Sequence, residues 1–164
     1  MKSRKFCMAV LLGLVATAAA ARADVIMDWN ARADAIAAEK RVMPPPLART
    51  FALLHVAMFE SINAIERRYQ PYKLDLIADR NTSNEAAAAG AAHAVLTALF
   101  PDQKASLDAD LAHDLAAVSE GPAKERGIIL GRKAAADLLA LHADDGKGAD
   151  DYRPFTQAGV YVPT

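Results

Sequence analysis

The chain has 164 residues with 19 basic and 20 acidic side chains, a formal net charge of −1, and 53% hydrophobic residues. That length suffices for one domain with its own core, and the charge balance offers no basic patch that would bind nucleic acid or an anionic membrane surface. The one cysteine, Cys7, stands near the N-terminus, so residues 24–164 contain no disulfide, thiol nucleophile or thiolate ligand.

Residues 1–23 are typical of a secretory signal peptide. Three basic side chains within the first five residues precede an uncharged, largely apolar stretch, and Ala21 and Ala23 supply the small residues that a signal peptidase needs. The stretch is short for a bilayer span, which takes roughly 20 apolar residues, so cleavage is preferred over a retained anchor. Cleavage would leave 141 residues with 15 basic and 20 acidic side chains, a net charge of −5. We therefore expect a periplasmic or secreted protein that meets the membrane only through its signal peptide.

Two helical segments come first. In residues 25–41 apolar side chains recur at spacings of three and four, and the prolines at 44–46 end that segment. A second helix is predicted over residues 47–69, with the last of the three prolines suiting its first turn. The following loop, residues 70–81, carries four apolar side chains that we expect to lie across the helices: Tyr72, Leu74, Leu76 and Ile77.

The third helix has the clearest start. Residues 82–85, Thr-Ser-Asn-Glu, fit a capping box in which the Thr82 hydroxyl accepts a hydrogen bond from the Glu85 amide. Residues 86–100 are rich in alanine, and such small side chains let neighbouring helices approach closely. A fourth helix is predicted from Pro101, with apolar residues at positions 107, 111, 115 and 118.

A fifth helix is predicted over residues 123–143, after the break at Gly121 and Pro122. Gly127 and Gly131 lie one above the other on it, and because glycine costs a helix roughly 1 kcal/mol against alanine, the pair predicts a close helix crossing. The predicted fold class is all-α, with about five helices forming part of a helical bundle. The helical domain takes residues 24–143, and residues 144–164 form an irregular C-terminal tail that we interpret as truncated.

The four histidines of residues 24–164 are weighed as bases or metal ligands. His55 and His93 are interpreted as buried structural residues with one hydrogen-bond partner each, and His113 and His142 as solvated residues near helix surfaces. A zinc site needs about three convergent ligands, and no HExxH or Glu-x-x-His pair occurs. Glu60 stands at the wrong offset from His55, and Glu85 from His93, to share a helix face. A cluster assembled between helices stays open as an alternative.

No other catalytic or ion-binding motif is found. The acidic run at residues 144–151 departs from an EF-hand loop, because Gly146 and Gly148 occupy two of its ligand positions, and a solvated turn is predicted. A glycine-rich phosphate loop, a nucleophile elbow and a Ser-x-x-Lys motif do not occur in the sequence.

A series of short motifs runs in order along nearly all of residues 24–164. It comprises Asp28-Trp29-Asn30; residues 49–65, RTFALLHVAMFESINAI; Tyr69-Gln70-Pro71-Tyr72; residues 85–88 with Ala92-His93 and Leu99-Phe100-Pro101; Gly127-Ile128 with Gly131; and Asp145-Gly146, Tyr152, Pro154, Gly159 and Pro163-Thr164. Together these motifs resemble the N-terminal helical region of bacterial vanadium-dependent haloperoxidases, which belong to the type 2 phosphatidic acid phosphatase superfamily.

The resemblance implies an α-helical enzyme family that holds vanadate, or a substrate phosphate, through Lys-x6-Arg-Pro, Pro-Ser-Gly-His and Ser-Arg-x5-His-x3-Asp motifs. Their cations and N–H groups neutralise an oxyanion, and one histidine acts as acid and base while the other attacks or ligates the central atom. None of the three motifs occurs in this chain. Lys147 with Arg153-Pro154 is one residue short of the first, which on a helix rotates the lysine by about 100°. No catalytic, cofactor-binding or metal residue is therefore assigned here, and vanadate or phosphate is implied only for an intact relative.

The resemblance implies the N-terminal, non-catalytic fragment of an exported haloperoxidase-like or phosphatase-like protein. An absent C-terminal half would oxidise halide with peroxide at vanadate, or hydrolyse phosphate esters, and that half or a self-association surface would be the partner. The alternative is a self-standing periplasmic helical binding or scaffold protein without enzymatic activity. A third possibility is an assembly in which a separate chain supplies the anion site.

Overall fold

The structure, a computed structural model, describes residues 24–145, and these form five α-helices. The predicted signal peptide and tail residues 146–164 lie outside the described residues. The all-α prediction is confirmed. In chain order the helices are α1 (Val25–Glu39), α2 (Pro44–Glu66), α3 (Asn84–Leu99), α4 (Lys104–Ala116) and α5 (Pro122–Leu141), with a short 3₁₀ turn at Pro101–Gln103 between α3 and α4.

Helix α2 begins and ends earlier than predicted. Its first turn consists of Pro44, Pro45 and Pro46, because the first amides of a helix have no intrahelical partner and a missing N–H there costs nothing. It ends at Glu66, where Arg67 adopts a left-handed conformation with φ 55° and donates its amide to the Asn63 carbonyl at 2.7 Å. The prediction of a helix over residues 47–69 is therefore displaced by about one turn towards the N-terminus.

Helix α3 starts one residue later than the predicted capping box. Ser83 is the N-cap, since its hydroxyl accepts the Ala86 amide at 3.1 Å and donates to the Glu85 carboxylate at 3.0 Å. The assignment of Thr82 as the cap is wrong, and its buried hydroxyl has no hydrogen-bond partner among the described residues. Glu85 then occupies the second helical position, from which its carboxylate meets the cap's hydroxyl rather than the cap's amide.

Helix α3 lies at the centre of the fold and contacts each of the other four helices. Its residues from Ala86 to His93 are buried on every side, which suits a helix that is apolar all round. Around it the core is filled by large side chains from the other helices and from α3 itself: Trp29, Leu54, Met58, Leu96, Leu107 and Leu138.

The close crossing predicted from the glycines of α5 is confirmed, and its partner is α3. A Cβ atom added at Gly131 would lie 2.1 Å from the Ala87 carbonyl oxygen, and one at Gly127 would lie 2.7 Å from the Ser83 carbonyl oxygen. Gly90 of α3 meets α5 in turn, since a Cβ there would lie 3.0 Å from the Ile128 carbonyl oxygen. Backbone therefore packs on backbone at this crossing, and at Gly127 and Gly131 the space admits no side chain.

The loop between α2 and α3 is tied to α2 by a buried carboxylate. Glu60 is 1% exposed, and one of its oxygens accepts the amides of Lys73 at 2.8 Å and Leu74 at 3.2 Å. Asn63 adds a reciprocal pair with Tyr69, donating to its carbonyl at 2.9 Å and accepting its amide at 3.0 Å. These bonds satisfy loop amides that would otherwise be buried unpaired.

The four apolar side chains of that loop divide evenly. Leu74 is buried and Leu76 packs against the core, as expected. Tyr72 and Ile77 are exposed. Tyr72 still lines a cavity with side chains of α2 and α5, so the prediction that the loop side chains lie across the helices is wrong only for Ile77. Because the Glu60 oxygen holds the loop at residues 73 and 74, the chain turns Leu74 inward and leaves its neighbours outside.

Candidate functional site

His93 is a buried histidine with one hydrogen-bond partner, as predicted. It is 8% exposed, and its Nε2 lies 2.7 Å from Oδ1 of Asp108 on α4. Its ring stands edge-on to Trp29 of α1, with the centroids 6.3 Å apart. The hydrogen bond with Lys104, which has the larger effect, and the one with His93 hold the pKa of Asp108 below its usual value. His93 therefore joins three helices.

His55 has the predicted single partner but not the predicted burial. Its Nε2 lies 3.0 Å from Oδ1 of Asn30 on α1, and its ring stacks on Phe51 with the centroids 6.3 Å apart. The side chain is exposed on the outward side of α2, so the prediction of burial is wrong.

The other two histidines lie at helix surfaces. His113 is exposed on α4, as predicted. His142 is half-buried at the end of α5, where its carbonyl accepts the Arg49 guanidinium at 2.8 Å and its Nδ1 lies 2.7 Å from the Asp145 carboxylate. Arg49 thus caps α5 from α2, and this contact positions the last described residues of the chain.

No metal centre forms among residues 24–145. No group of three or more histidine, cysteine, aspartate or glutamate side chains in this range could hold a metal ion, so the interhelical cluster left open above is not found there. Glu60 and Glu85, the acidic candidates, are engaged instead with loop amides and with the Ser83 hydroxyl.

An oxyanion such as vanadate or phosphate is held by several cationic side chains that converge on it. Four arginines among the described residues are each engaged with a different neighbour. Arg32 binds the Asp114 carboxylate, and three others donate to carbonyl oxygens: Arg49 to His142, Arg67 to Ala78 and Arg126 to Asn81. Lys147 and Arg153, which approach a family motif in sequence, lie outside the described residues.

An ion pair joins α1 to α4. Arg32 and Asp114 form a two-bond pair, with Nη1 2.7 Å and Nη2 3.0 Å from the carboxylate oxygens. The guanidinium carbon lies 4.8 Å from the Trp29 ring centroid. Burial lowers the pKa of Arg32, but the hydrogen bond and charge of Asp114 outweigh it and raise the pKa. The pair positions helices rather than a substrate.

An acidic cavity of about 590 Å³ lies where α1, α4 and the start of α5 meet. Three of its four carboxylates are engaged locally: Asp24 accepts the Ile26 amide at the start of α1, Glu85 accepts the Ser83 hydroxyl, and Asp114 pairs with Arg32. The charges therefore serve the helix ends and the α1–α4 pair.

The outward side of α2 is unusual for a surface helix because it is almost without charge. Between Pro44 and Ile65 the sequence contains two charged residues, Arg49 and Glu60, and Glu60 is buried. We call this side the α2 outer face, and it presents exposed or half-buried Ala48, Ala52, His55, Val56, Phe59 and Ile62. Contiguous apolar surface of this kind marks interaction sites.

A cleft of about 530 Å³ opens at the C-terminal end of the α2 outer face. Ile26, Met58, Phe59, Ile62 and Tyr69 supply its apolar lining. This surface was not predicted from the sequence. The signal was present, since only two charges occur in 22 residues and amphipathic surface helices carry a charged face.

Comparison with known protein families, with curated proteins and with solved structures found no match to this chain. Within residues 24–145 no helix is both long enough and apolar enough to cross a bilayer.

Proposed function

We propose that the chain is a non-catalytic helical module of an exported haloperoxidase-like or phosphatase-like protein. In this proposal the module supports helices, in a C-terminal half or in a separate chain, that hold the oxyanion. Halide oxidation at vanadate, or phosphate ester hydrolysis, belongs to those helices. Export depends on the signal peptide at residues 1–23.

One observation supports this proposal most. The motifs that carry the resemblance are far apart in sequence, yet their side chains contact one another in the fold. The side-chain oxygen Oδ1 of Asn30 lies 3.0 Å from Nε2 of His55, and the ring centroids of Trp29 and His93 are 6.3 Å apart. Contacts between motifs that are distant in sequence are what a helical scaffold requires.

A second pair of contacts has the same character. Asn63 forms hydrogen bonds with the Tyr69 backbone, and Gly131 lets the backbone of α3 pack closely against α5. These residues fix helix positions and loop geometry, which is a supporting role and not a chemical one. The proposal therefore assigns the whole set to scaffolding.

Purified chain tests the non-catalytic part of the proposal. We expect no broadening of the vanadate signal in vanadium NMR, no peroxide-dependent halide oxidation and no phosphate ester hydrolysis. A bacterial vanadium haloperoxidase serves as the positive control in the same buffers. Vanadate binding by this chain alone would overturn the assignment.

The DNA that follows codon 164 and the neighbouring genes test the family part. We expect an encoded segment with Pro-Ser-Gly-His and Ser-Arg-x5-His-x3-Asp motifs, and joining it to this chain should create vanadate binding. Lack of both motifs throughout that region would remove the family from consideration.

A self-standing binding or scaffold protein is the second candidate, and the enclosed core of residues 24–145 together with the α2 outer face favours it. The two candidates differ in solution behaviour. A module that needs further helices should self-associate, or it should unfold over a broad range of temperature. A monodisperse monomer with one sharp, cooperative unfolding transition would favour the self-standing protein.

A further inference from the structure

The α2 outer face needs a cover. A helix with apolar residues on all sides is normally buried on all sides. The inward side of α2 packs on α1, α3 and α5, whereas Ala52 and His55 on the outward side are exposed and Phe59 is half-buried. Among the described residues, Asn30 contacts His55 and Tyr69 contacts Phe59, but Ala52 and His55 stay exposed.

The chain leaves the described fold beside this face. Asp145, the last described residue, lines a cavity of about 130 Å³ together with Arg49, Ala52 and Val56 of α2. The exit is held by two hydrogen bonds, from Arg49 to the His142 carbonyl at 2.8 Å and between His142 and Asp145 at 2.7 Å. The last described residue therefore lies beside the α2 outer face.

The remaining chain is long enough and apolar enough to cover the face. The sequence continues for 19 residues after Asp145, and an extended chain of that length spans about 60 Å. From Ala52 to Ile62 the helix rises only about 15 Å. The segment carries five aromatic or β-branched apolar residues: Tyr152, Phe155, Val160, Tyr161 and Val162.

We propose that residues 146–164 dock on the α2 outer face, with an aromatic side chain of the segment in the cleft at Phe59 and Ile62. Tethering favours this occupant over a second copy, because a segment joined at Asp145 is present at an effective concentration of about millimolar. The proposal is independent of the haloperoxidase resemblance.

Thiol labelling in the full chain tests the proposal. Cys7→Ser removes the natural thiol, and Ala52→Cys then places a single thiol on the α2 outer face. Ala109→Cys is the matched control, since Ala109 is also an exposed helical alanine but lies between Asp108 and Asp110 on α4. We expect the thiol at position 52 to react about tenfold more slowly than the thiol at position 109, because the docked segment must first detach.

The combined change Phe155→Ser and Tyr161→Ser should raise the rate at position 52 to that of the control and leave the control unchanged. Equal rates at positions 52 and 109 in the parent chain would show an uncovered face and overturn the proposal. Protection that survives the two tail substitutions, or that grows with protein concentration, would assign the cover to a second copy and also overturn it.

Discussion

Replacing Gly131 by alanine should destabilise the fold, although alanine is the better helix former. The added Cβ would lie 2.1 Å from the Ala87 carbonyl oxygen and 2.6 Å from the Ala91 amide nitrogen. Ordinary contact begins near 3.4 Å, so α3 and α5 would have to separate by about 1.3 Å. Both obstructing atoms are helical backbone and cannot rotate away.

The magnitude follows from two opposing effects. Overpacking a close-packed interior costs about 1–3 kcal/mol and sometimes more, and a rigid obstruction belongs at the upper end. Alanine recovers about 1 kcal/mol of helix propensity. We expect a net loss of about 2 kcal/mol in the free energy of unfolding, which lowers the melting temperature by several degrees.

Urea unfolding followed by circular dichroism measures this loss directly, provided that the slope with denaturant is unchanged. Ala136→Gly is the matched control, because Ala136 is exposed on the same helix and should show the propensity effect alone, a loss of about 1 kcal/mol. Gly90→Ala should change the free energy of unfolding by close to zero, since the added Cβ would lie 3.0 Å from the nearest atom, the Ile128 carbonyl oxygen. A Gly131→Ala variant as stable as the parent, or more stable, would refute the close crossing.

Three further predictions concern polar contacts. Glu60→Ala should cost about 2–4 kcal/mol, because it leaves two loop amides unpaired and a cavity behind, whereas Glu60→Gln keeps an accepting oxygen and should cost clearly less in the same urea titration. Arg32→Lys should cost about 1 kcal/mol at low salt by losing the two-bond geometry with Asp114, and a double-mutant cycle with Asp114→Asn that shows no coupling would contradict this. The pKa of Asp108 is lowered in the folded protein, so the stabilisation that its ionised carboxylate gives is present above the ordinary aspartate pKa and is lost as the pH falls through the lowered value. NMR titration should show the lowered pKa of Asp108, and Lys104→Gln should raise that pKa.

Much of the fold was predictable from local sequence patterns. The five helices and the fold class follow from apolar spacing and from Gly and Pro breaks, and the glycine pair of α5 predicted a close crossing before its partner was known. Helix ends were less predictable, because capping depends on geometry. Thr82 and Ser83 are both good N-cap residues, and only the fold shows that Ser83 is the one that accepts an amide.

The surface properties of α2 were beyond what periodicity can show. Local spacing excludes Glu60 as a zinc ligand beside His55, but it does not predict that Glu60 is buried and accepts hydrogen bonds from two amides of a loop 13 and 14 residues away. His55 looked buried beside Phe51, yet burial depends on what covers the helix from outside. Such long-range contacts leave no trace in local spacing.

Trp29 has a practical consequence for studying this protein in solution. It is the only tryptophan in the sequence and is 0% exposed, with Arg32 over its face and His93 at its edge. Its fluorescence therefore comes from one point, the junction of α1 with α3. Detachment of α1 should shift that emission to longer wavelength while the helical circular dichroism barely changes, so local and global unfolding can be told apart optically without any added label.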